Sequence, residues 1–226
     1  MVSTKPPVSY VLTITRSCSV FLLITGYLVT IYLKGYFTTL TDSMKYLTYW
    51  SHNIELMFFM LLLKAIKDNK HLSKSEFQKY LESDFISELF SILLGIQFLI
   101  TIFFWAILFK LENWTNSTII FTEIYFHSLP FLFIIIEYSL NSMKMKWFHL
   151  KYMVIFLVFY MSVNLIIVKF TGKPVYRPMD FKTWKTLIYV GLGLVMSVFG
   201  WGIFKYSEKY KFASVPRTTP QMKKTN

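Results

Sequence analysis

The sequence predicts an all-α polytopic membrane protein, a bundle of six transmembrane helices with both termini in the cytosol. Three observations predict this class. Hydrophobic residues make up 54% of the 226 residues and charged residues 16%, against about 25% charged in soluble globular domains. The apolar residues come in blocks of about 20, the length that a helix needs to cross a bilayer. The lysines and arginines lie mainly between or at the ends of those blocks.

One transmembrane domain, residues 1–206, is predicted, followed by a basic cytosolic tail, residues 207–226. A short loop is expected between the first two spans, at residues 34–43. The first block follows a polar segment and is too long for the apolar part of a signal peptide, so we expect it to be a retained helix. The predicted spans are residues 9–33, 44–66, 85–109, 118–140, 150–170 and 184–206.

Each block has its own polar or small residues. The first carries Arg16 near its start, where a long side chain can reach the headgroups. The third begins near Glu88, and the fifth contains Asn164. The second and the fourth hold several ionisable residues each and are treated below. The sixth holds small residues that allow close approach of helices: Gly191, Gly193, Ser197, Gly200 and Gly202.

The distribution of basic residues predicts the topology. Two thirds of the 24 lysines and arginines fall on the side of the two termini, which places both termini in the cytosol. The Asn-x-Ser/Thr patterns at Asn113 and Asn116 then face the lumen, where glycosylation occurs. Lys223 and Lys224 resemble the dilysine signal that coat proteins recognise at a cytosolic C-terminus. We therefore expect a multi-pass protein of the endoplasmic reticulum membrane.

Composition also limits the partners and cofactors. The net charge of +12 follows from the membrane topology, so no nucleic-acid partner is expected. Cys18 is the single cysteine, which excludes an internal disulfide and a cysteine-based metal cluster. No cofactor is expected, and the expected partners are the membrane and a lipid substrate from the bilayer.

Two spans carry ionisable residues within apolar sequence. One stripe on the second span is formed by Thr48, Ser51, His52 and Glu55. On the fourth span, Glu123 and His127 are four residues apart and share a face. An ionisable residue near the bilayer centre costs about 2.5–3.5 kcal/mol, which favours a polar partner or a water-filled cavity. The two helices are therefore predicted to enclose one polar site.

The residue types in this site suit a nucleophilic hydrolase. A threonine hydroxyl needs a general base within about 2.6–3.2 Å, and His127 is the better base because Glu123 can orient it. Thr48 is then the nucleophile, Ser51 or His52 can stabilise an oxyanion, and Glu55 supports them. Counting along the spans puts Thr48 and His127 at depths that differ by about 7 Å.

The same residues fall within three motifs of a known family. Residues 45–48, Lys-Tyr-Leu-Thr, resemble the Lys-aromatic-Leu-Thr motif of the androgen-induced gene family, which includes the androgen-dependent regulator of tissue factor pathway inhibitor. Residues 127–137 are similar to its His…Leu-Pro-Phe…Glu helix, and residues 175–176 to its Val-Tyr-Pro element. The proline of the last element is displaced to Pro178, so the chain is identified as a divergent member.

The resemblance covers nearly the whole chain in length and span order. It implies a multi-pass hydrolase of fatty acid esters of hydroxy fatty acids, with a threonine nucleophile and a histidine. Carried over by motif, these roles fall on Thr48 and His127.

Other interpretations stay open at this point. Thr48 and His127 can each be structural, bonded to the helix backbone or to a neighbouring helix. His52, Glu55, Glu123 and His127 could together bind zinc or iron. The chain could also be a non-catalytic lipid-binding or scaffold protein.

Overall fold

The computed structural model describes residues 8–68, 81, 84–109, 117–176 and 179–213. The predictions at Asn113, Asn116, Lys223 and Lys224 fall outside these residues. Within the described part the chain forms helices and no strand, so the all-α class is confirmed. The helices are α1 Val8–Lys34, α2 Tyr36–Lys45, α3 Leu47–Asp68, α4 Asp84–Phe103, α5 Ser117–Leu140, α6 His149–Thr171 and α7 Trp184–Ala213, with a π-helical turn, Phe104–Leu108, after α4.

Five of the described helices are long and apolar enough to cross a membrane, namely α1, α4, α5, α6 and α7. Their length and composition support a multi-pass membrane protein. The helix α3 has 22 residues but is not one of the five, because its first half carries the polar stripe. The stripe is buried, as its position on one helical face predicts.

The expected loop between the first two spans is a helix, so that prediction was wrong. Gly35 separates α1 from α2 with a φ of 82°, a left-handed conformation that glycine adopts easily. Tyr46 then separates α2 from α3 in an extended conformation. Because α2 has 10 residues and is rich in threonine, its composition does not distinguish it from a loop.

The helix α4 lies at the centre of the bundle and packs against α3, α5, α6 and α7. It runs parallel to α6, since Ser91 contacts His149 and, one turn later, Gly95 lies against Met153. It runs antiparallel to α7. Gly95 lies against Trp201, whereas Phe103, two turns later in α4, contacts Tyr189, which is earlier in α7.

A buried ion pair connects α1 to α5. Arg16 donates from Nε and Nη2 to the carboxylate of Glu137 at 3.0 and 2.6 Å, and both side chains are fully buried. Asn141 donates its side-chain amide to the same carboxylate at 3.1 Å. The expectation that Arg16 reaches the headgroups was therefore wrong, since its guanidinium crosses to a neighbouring helix instead.

Candidate functional site

The first turn of α3 begins inside the bundle, where two tyrosines hold it. Tyr160, halfway along α6, donates its hydroxyl to the carbonyl of Lys45 at 2.7 Å. The backbone N–H of Leu47 donates to the hydroxyl oxygen of Tyr176 at 3.0 Å, and the two tyrosine oxygens lie 3.2 Å apart. The N–H of Leu47 is one of the groups that the start of α3 leaves without a partner, and the carbonyl of Lys45 is one that the end of α2 leaves without a partner. These bonds fix the position of Thr48, the second residue of α3.

Thr48 and His127 lie at similar heights along α4. Glu55 lies beside Gln97 of α4 and Phe58 beside Phe90, so α3 runs antiparallel to α4. Thr48 is two turns earlier in α3 than Glu55, about 10 Å away. That distance reaches the level of Phe104, against which the imidazole of His127 stacks. By this estimate the offset of about 7 Å expected from sequence is absent, because α3 begins level with the turn Phe104–Leu108 that follows α4.

The imidazole of His127 is held on two sides. Its Nε2 lies 3.1 Å from Oε2 of Glu123, one turn earlier in α5. Its ring is parallel to that of Phe104 within 6°, with centroids 3.7 Å apart. Since the carboxylate accepts a hydrogen bond, the ring carries its proton on Nε2. The other nitrogen, Nδ1, is buried and has no hydrogen-bond partner among the described residues. A neutral imidazole with one bonded and one unpartnered nitrogen can accept a proton.

Thr48 and His127 line the same cavity, which has a volume of about 350 Å³. No hydrogen bond from the Thr48 hydroxyl to another described residue is seen. Because Thr48 lies in the first turn of α3, the helix has no earlier carbonyl to accept that hydroxyl. Tyr160 and Tyr176 also line the cavity, and most of the remaining wall is apolar. The cavity is thus lined by Thr48 and His127, whose hydroxyl and Nδ1 have no hydrogen-bond partner among the described residues, and by mostly apolar side chains.

Ser51 and His52 do not line this cavity. The Ser51 hydroxyl donates to the carbonyl of Thr48 at 2.9 Å. His52 points towards α1, where its Nε2 lies 3.2 Å from the carbonyl oxygen of Leu23 and its ring contacts Tyr27. The structure therefore does not bring either side chain to the place where an oxyanion would form.

Glu55 lies deeper in the bundle, where its carboxylate accepts a hydrogen bond from Gln97. The four residues considered as metal ligands are thus divided between separate contacts: His52 with α1, Glu55 with α4, and Glu123 with His127. Among the described residues, no group of three histidines, cysteines or acidic residues could hold a metal ion.

Sequence reasoning missed the role of the two tyrosines. Tyr160 lies in the middle of an apolar span, and a tyrosine hydroxyl buried there needs a partner. That rule could have identified Tyr160 as a polar contact, although not its partner on another helix. Tyr176 was part of the Val-Tyr motif, which indicates no structural role by itself.

Comparisons of the chain with protein-family models, with curated proteins and with solved structures find no match. The resemblance to the androgen-induced gene family stays a prediction based on the three motifs. The residues that the motifs mark, Thr48, His127 and Tyr176, all line the cavity.

Proposed function

We propose that the protein is an intramembrane hydrolase of lipid esters, with fatty acid esters of hydroxy fatty acids or similar esters as substrates. Thr48 is the nucleophile and His127 is the general base. One observation carries the proposal: Thr48 and His127 line one apolar cavity, and neither the Thr48 hydroxyl nor Nδ1 of His127 has a hydrogen-bond partner among the described residues. A buried polar group without a partner is costly, so its retention in a cavity favours a chemical role.

In the proposed reaction, Nδ1 of His127 takes the proton of the Thr48 hydroxyl as the oxygen attacks the ester carbonyl. Glu123 accepts a hydrogen bond from Nε2 and stabilises the imidazolium that forms. The imidazolium then gives its proton to the departing alkoxide, so the alcohol leaves and an acyl-threonine remains. Water, deprotonated by the same nitrogen, hydrolyses the acyl-threonine and restores the enzyme.

Tyr176 is the proposed donor to the oxyanion, in place of Ser51 or His52. The single hydroxyl proton of Tyr160 goes to the carbonyl of Lys45, and the Tyr176 oxygen already accepts the N–H of Leu47. The Tyr160 hydroxyl lies 3.2 Å from the Tyr176 oxygen on the donor side of that contact, so the Tyr176 proton has no acceptor among the described residues and is free to turn towards an oxyanion in the cavity. Donors of this kind contribute about 10²–10³ to kcat.

The proposed topology has six spans, with α3 as the sixth and both termini in the cytosol. Three features support it: α3 has 22 residues, it packs between α1 and α4, and it runs antiparallel to α4. The polar face of α3 is turned to the bundle, which is where a spanning helix keeps ionisable residues. Location in the endoplasmic reticulum, with Lys223 and Lys224 recognised by coat proteins, belongs to the same proposal.

Purified wild type, Thr48→Ala and His127→Ala test the function by hydrolysis of long-chain esters. We expect Thr48→Ala to fall to background and His127→Ala to lose about 10²–10⁴ in kcat. Ser51→Ala is the matched control, since it removes a hydroxyl one turn away that does not line the cavity. Wild-type turnover in both folded variants contradicts the assignment.

A non-catalytic lipid-binding or scaffold protein is the second candidate, and the apolar walls of the cavity favour it. Two results together would support this candidate. Lipid would copurify with the wild-type protein without being turned over, and wild type and Thr48→Ala would hydrolyse esters equally. Loss of hydrolysis in Thr48→Ala rejects it.

A further inference from the structure

The cavity has an open side between α6 and α7. Each of these helices packs along α4, but they make few contacts with each other. Three apolar side chains at this side both line the cavity and are well exposed: Val158 on α6 is 57% exposed, Leu165 on α6 is 48% exposed and Leu194 on α7 is 37% exposed. These three residues form the rim of a gap that connects the cavity to the outer surface of the bundle.

The cavity also has a closed end, at one side of Thr48 and His127. Leu99 of α4 and Leu157 of α6 are buried there, and Gly193 of α7 faces Leu99. A Cβ atom at Gly193 would lie 3.7 Å from the Leu99 side chain, which is ordinary van der Waals contact. The missing side chain at Gly193 thus leaves space at the closed end.

The surface around the gap is apolar. On α6 the exposed side chains include Ile155 and Phe159, and on α7 they include Val195 and Phe199. Since both helices are long and apolar enough to span a membrane, this surface faces hydrocarbon. No lysine or arginine lines the described part of the cavity, so a phosphate headgroup finds no partner inside it.

We propose that the gap between α6 and α7 is a lateral opening through which a single acyl chain of a membrane lipid enters. The chain end lies at the closed end, against Leu99, Leu157 and Gly193, and any charged headgroup stays outside the rim. The inference deepens the proposed hydrolase, because it names the route and the part of the substrate that is bound. It concerns binding and can be measured without turnover.

A photoreactive palmitic acid that carries a diazirine near its chain end is the probe, with the protein in lipid nanodiscs. We expect labelled peptides from the cavity-facing parts of α4, α6 and α7. Gly193→Leu should lose most of this labelling because leucine fills the closed end. Gly191→Leu is the matched control, since it adds the same side chain one residue before Leu192, where nothing lies within 4 Å, and should label as wild type does.

A second pair of variants tests the opening itself, in a Cys18→Ser background. Leu194→Cys carries a bulky maleimide label at the rim, and Val195→Cys carries the same label on the adjacent exposed residue that does not line the cavity. We expect only the label at residue 194 to reduce photolabelling.

Equal photolabelling in Gly193→Leu and Gly191→Leu overturns the inference, as does equal labelling of the two maleimide adducts. Thr48→Ala separates the two proposals. If Thr48→Ala loses hydrolysis and Gly193→Leu labels normally, the hydrolase stands and the acyl route is rejected. If Thr48→Ala hydrolyses normally and Gly193→Leu loses labelling, the acyl route stands and the nucleophile is rejected.

Discussion

Two pairs of a carboxylate and a nitrogen base, one fully buried and one half-buried, lie towards opposite ends of the bundle, and their surroundings differ. At the end near the termini, the carboxylate of Glu137 accepts two hydrogen bonds from Arg16 and one from Asn141. Towards the other end, the carboxylate of Glu123 is bonded to only one nitrogen of His127. The second imidazole nitrogen is buried without a partner among the described residues, beside a cavity.

The difference distinguishes a pair that can only be structural from a pair that can take part in proton transfer. A guanidinium stays protonated at all relevant pH values, so Arg16 can hold two helices together but cannot accept a proton. An imidazole with one bonded and one free nitrogen can accept a proton and release it.

The largest expected effect is a loss of protein stability when the Arg16–Glu137 pair is broken. Glu137→Ala leaves the buried charge of Arg16 without its partner, and we expect a loss of about 3–5 kcal/mol in the free energy of unfolding. Thermal or denaturant unfolding in detergent measures it. The control is the double variant Arg16→Met with Glu137→Leu, which removes both charges and should be close to neutral. Unchanged stability of Glu137→Ala would contradict a structural role.

The next effect concerns turnover, at the tyrosine that holds the start of α3. Tyr176→Phe removes the proposed oxyanion donor, and we expect kcat to fall by about 10²–10³. Tyr189→Phe also removes a hydroxyl from the cavity wall and should keep wild-type kcat. Ester hydrolysis at saturating substrate distinguishes them, and an equal kcat in the two variants would remove Tyr176 from the mechanism.

A smaller effect is expected at the carboxylate beside His127. Glu123→Gln keeps a hydrogen-bond acceptor but loses the charge that stabilises the imidazolium, so we expect a decrease of about tenfold in kcat. Glu88→Gln, a neutralised carboxylate at the start of α4, is the control and should hydrolyse esters at the wild-type rate. A Glu123→Gln enzyme as fast as wild type would show that the pair does not act as a unit.

The smallest effect is expected in the loop at the edge of the cavity. Oδ1 of Asp180 accepts hydrogen bonds from the backbone of Lys182 and Thr183 and from the hydroxyls of Thr183 and Thr186. These hydrogen bonds lower the pKa of Asp180 from 3.8 to about 2, and the bond from the backbone of Lys182 has the largest effect. The charged carboxylate therefore stabilises the loop above about pH 4, and this contribution is lost as pH falls towards 2.

We expect Asp180→Asn to melt slightly below wild type at pH 7, with the difference becoming smaller as the pH is lowered from 4 towards 2. Melting curves at several pH values measure it. A difference between the two proteins that is the same at pH 7 and at pH 3 would show that the charge of Asp180 is not responsible.

Much of the fold follows from local sequence, and the site follows in part. The six apolar blocks correspond to the long helices, and the spacing of Glu123 and His127 places them in contact within α5. Local spacing does not tell which neighbour a helical face meets. His52 and Glu55 share a stripe with Thr48, yet they contact α1 and α4 while Thr48 lines the cavity.

The remaining features depend on contacts between distant parts of the chain. Tyr176 is bonded to the backbone of Leu47, and Arg16 is bonded to Glu137, each across more than 100 residues. Neither contact has a local pattern. The helix α2 was missed for a different reason, because a short polar helix and a loop have similar composition.

The most direct test of the central claim is covalent labelling of Thr48. Purified protein is treated with a long-chain fluorophosphonate, and the modified residue is located by mass spectrometry of the peptides. We predict one adduct, on Thr48, that is absent in Thr48→Ala and strongly reduced in His127→Ala. An adduct on another residue, or equal labelling of wild type and Thr48→Ala, would contradict the account.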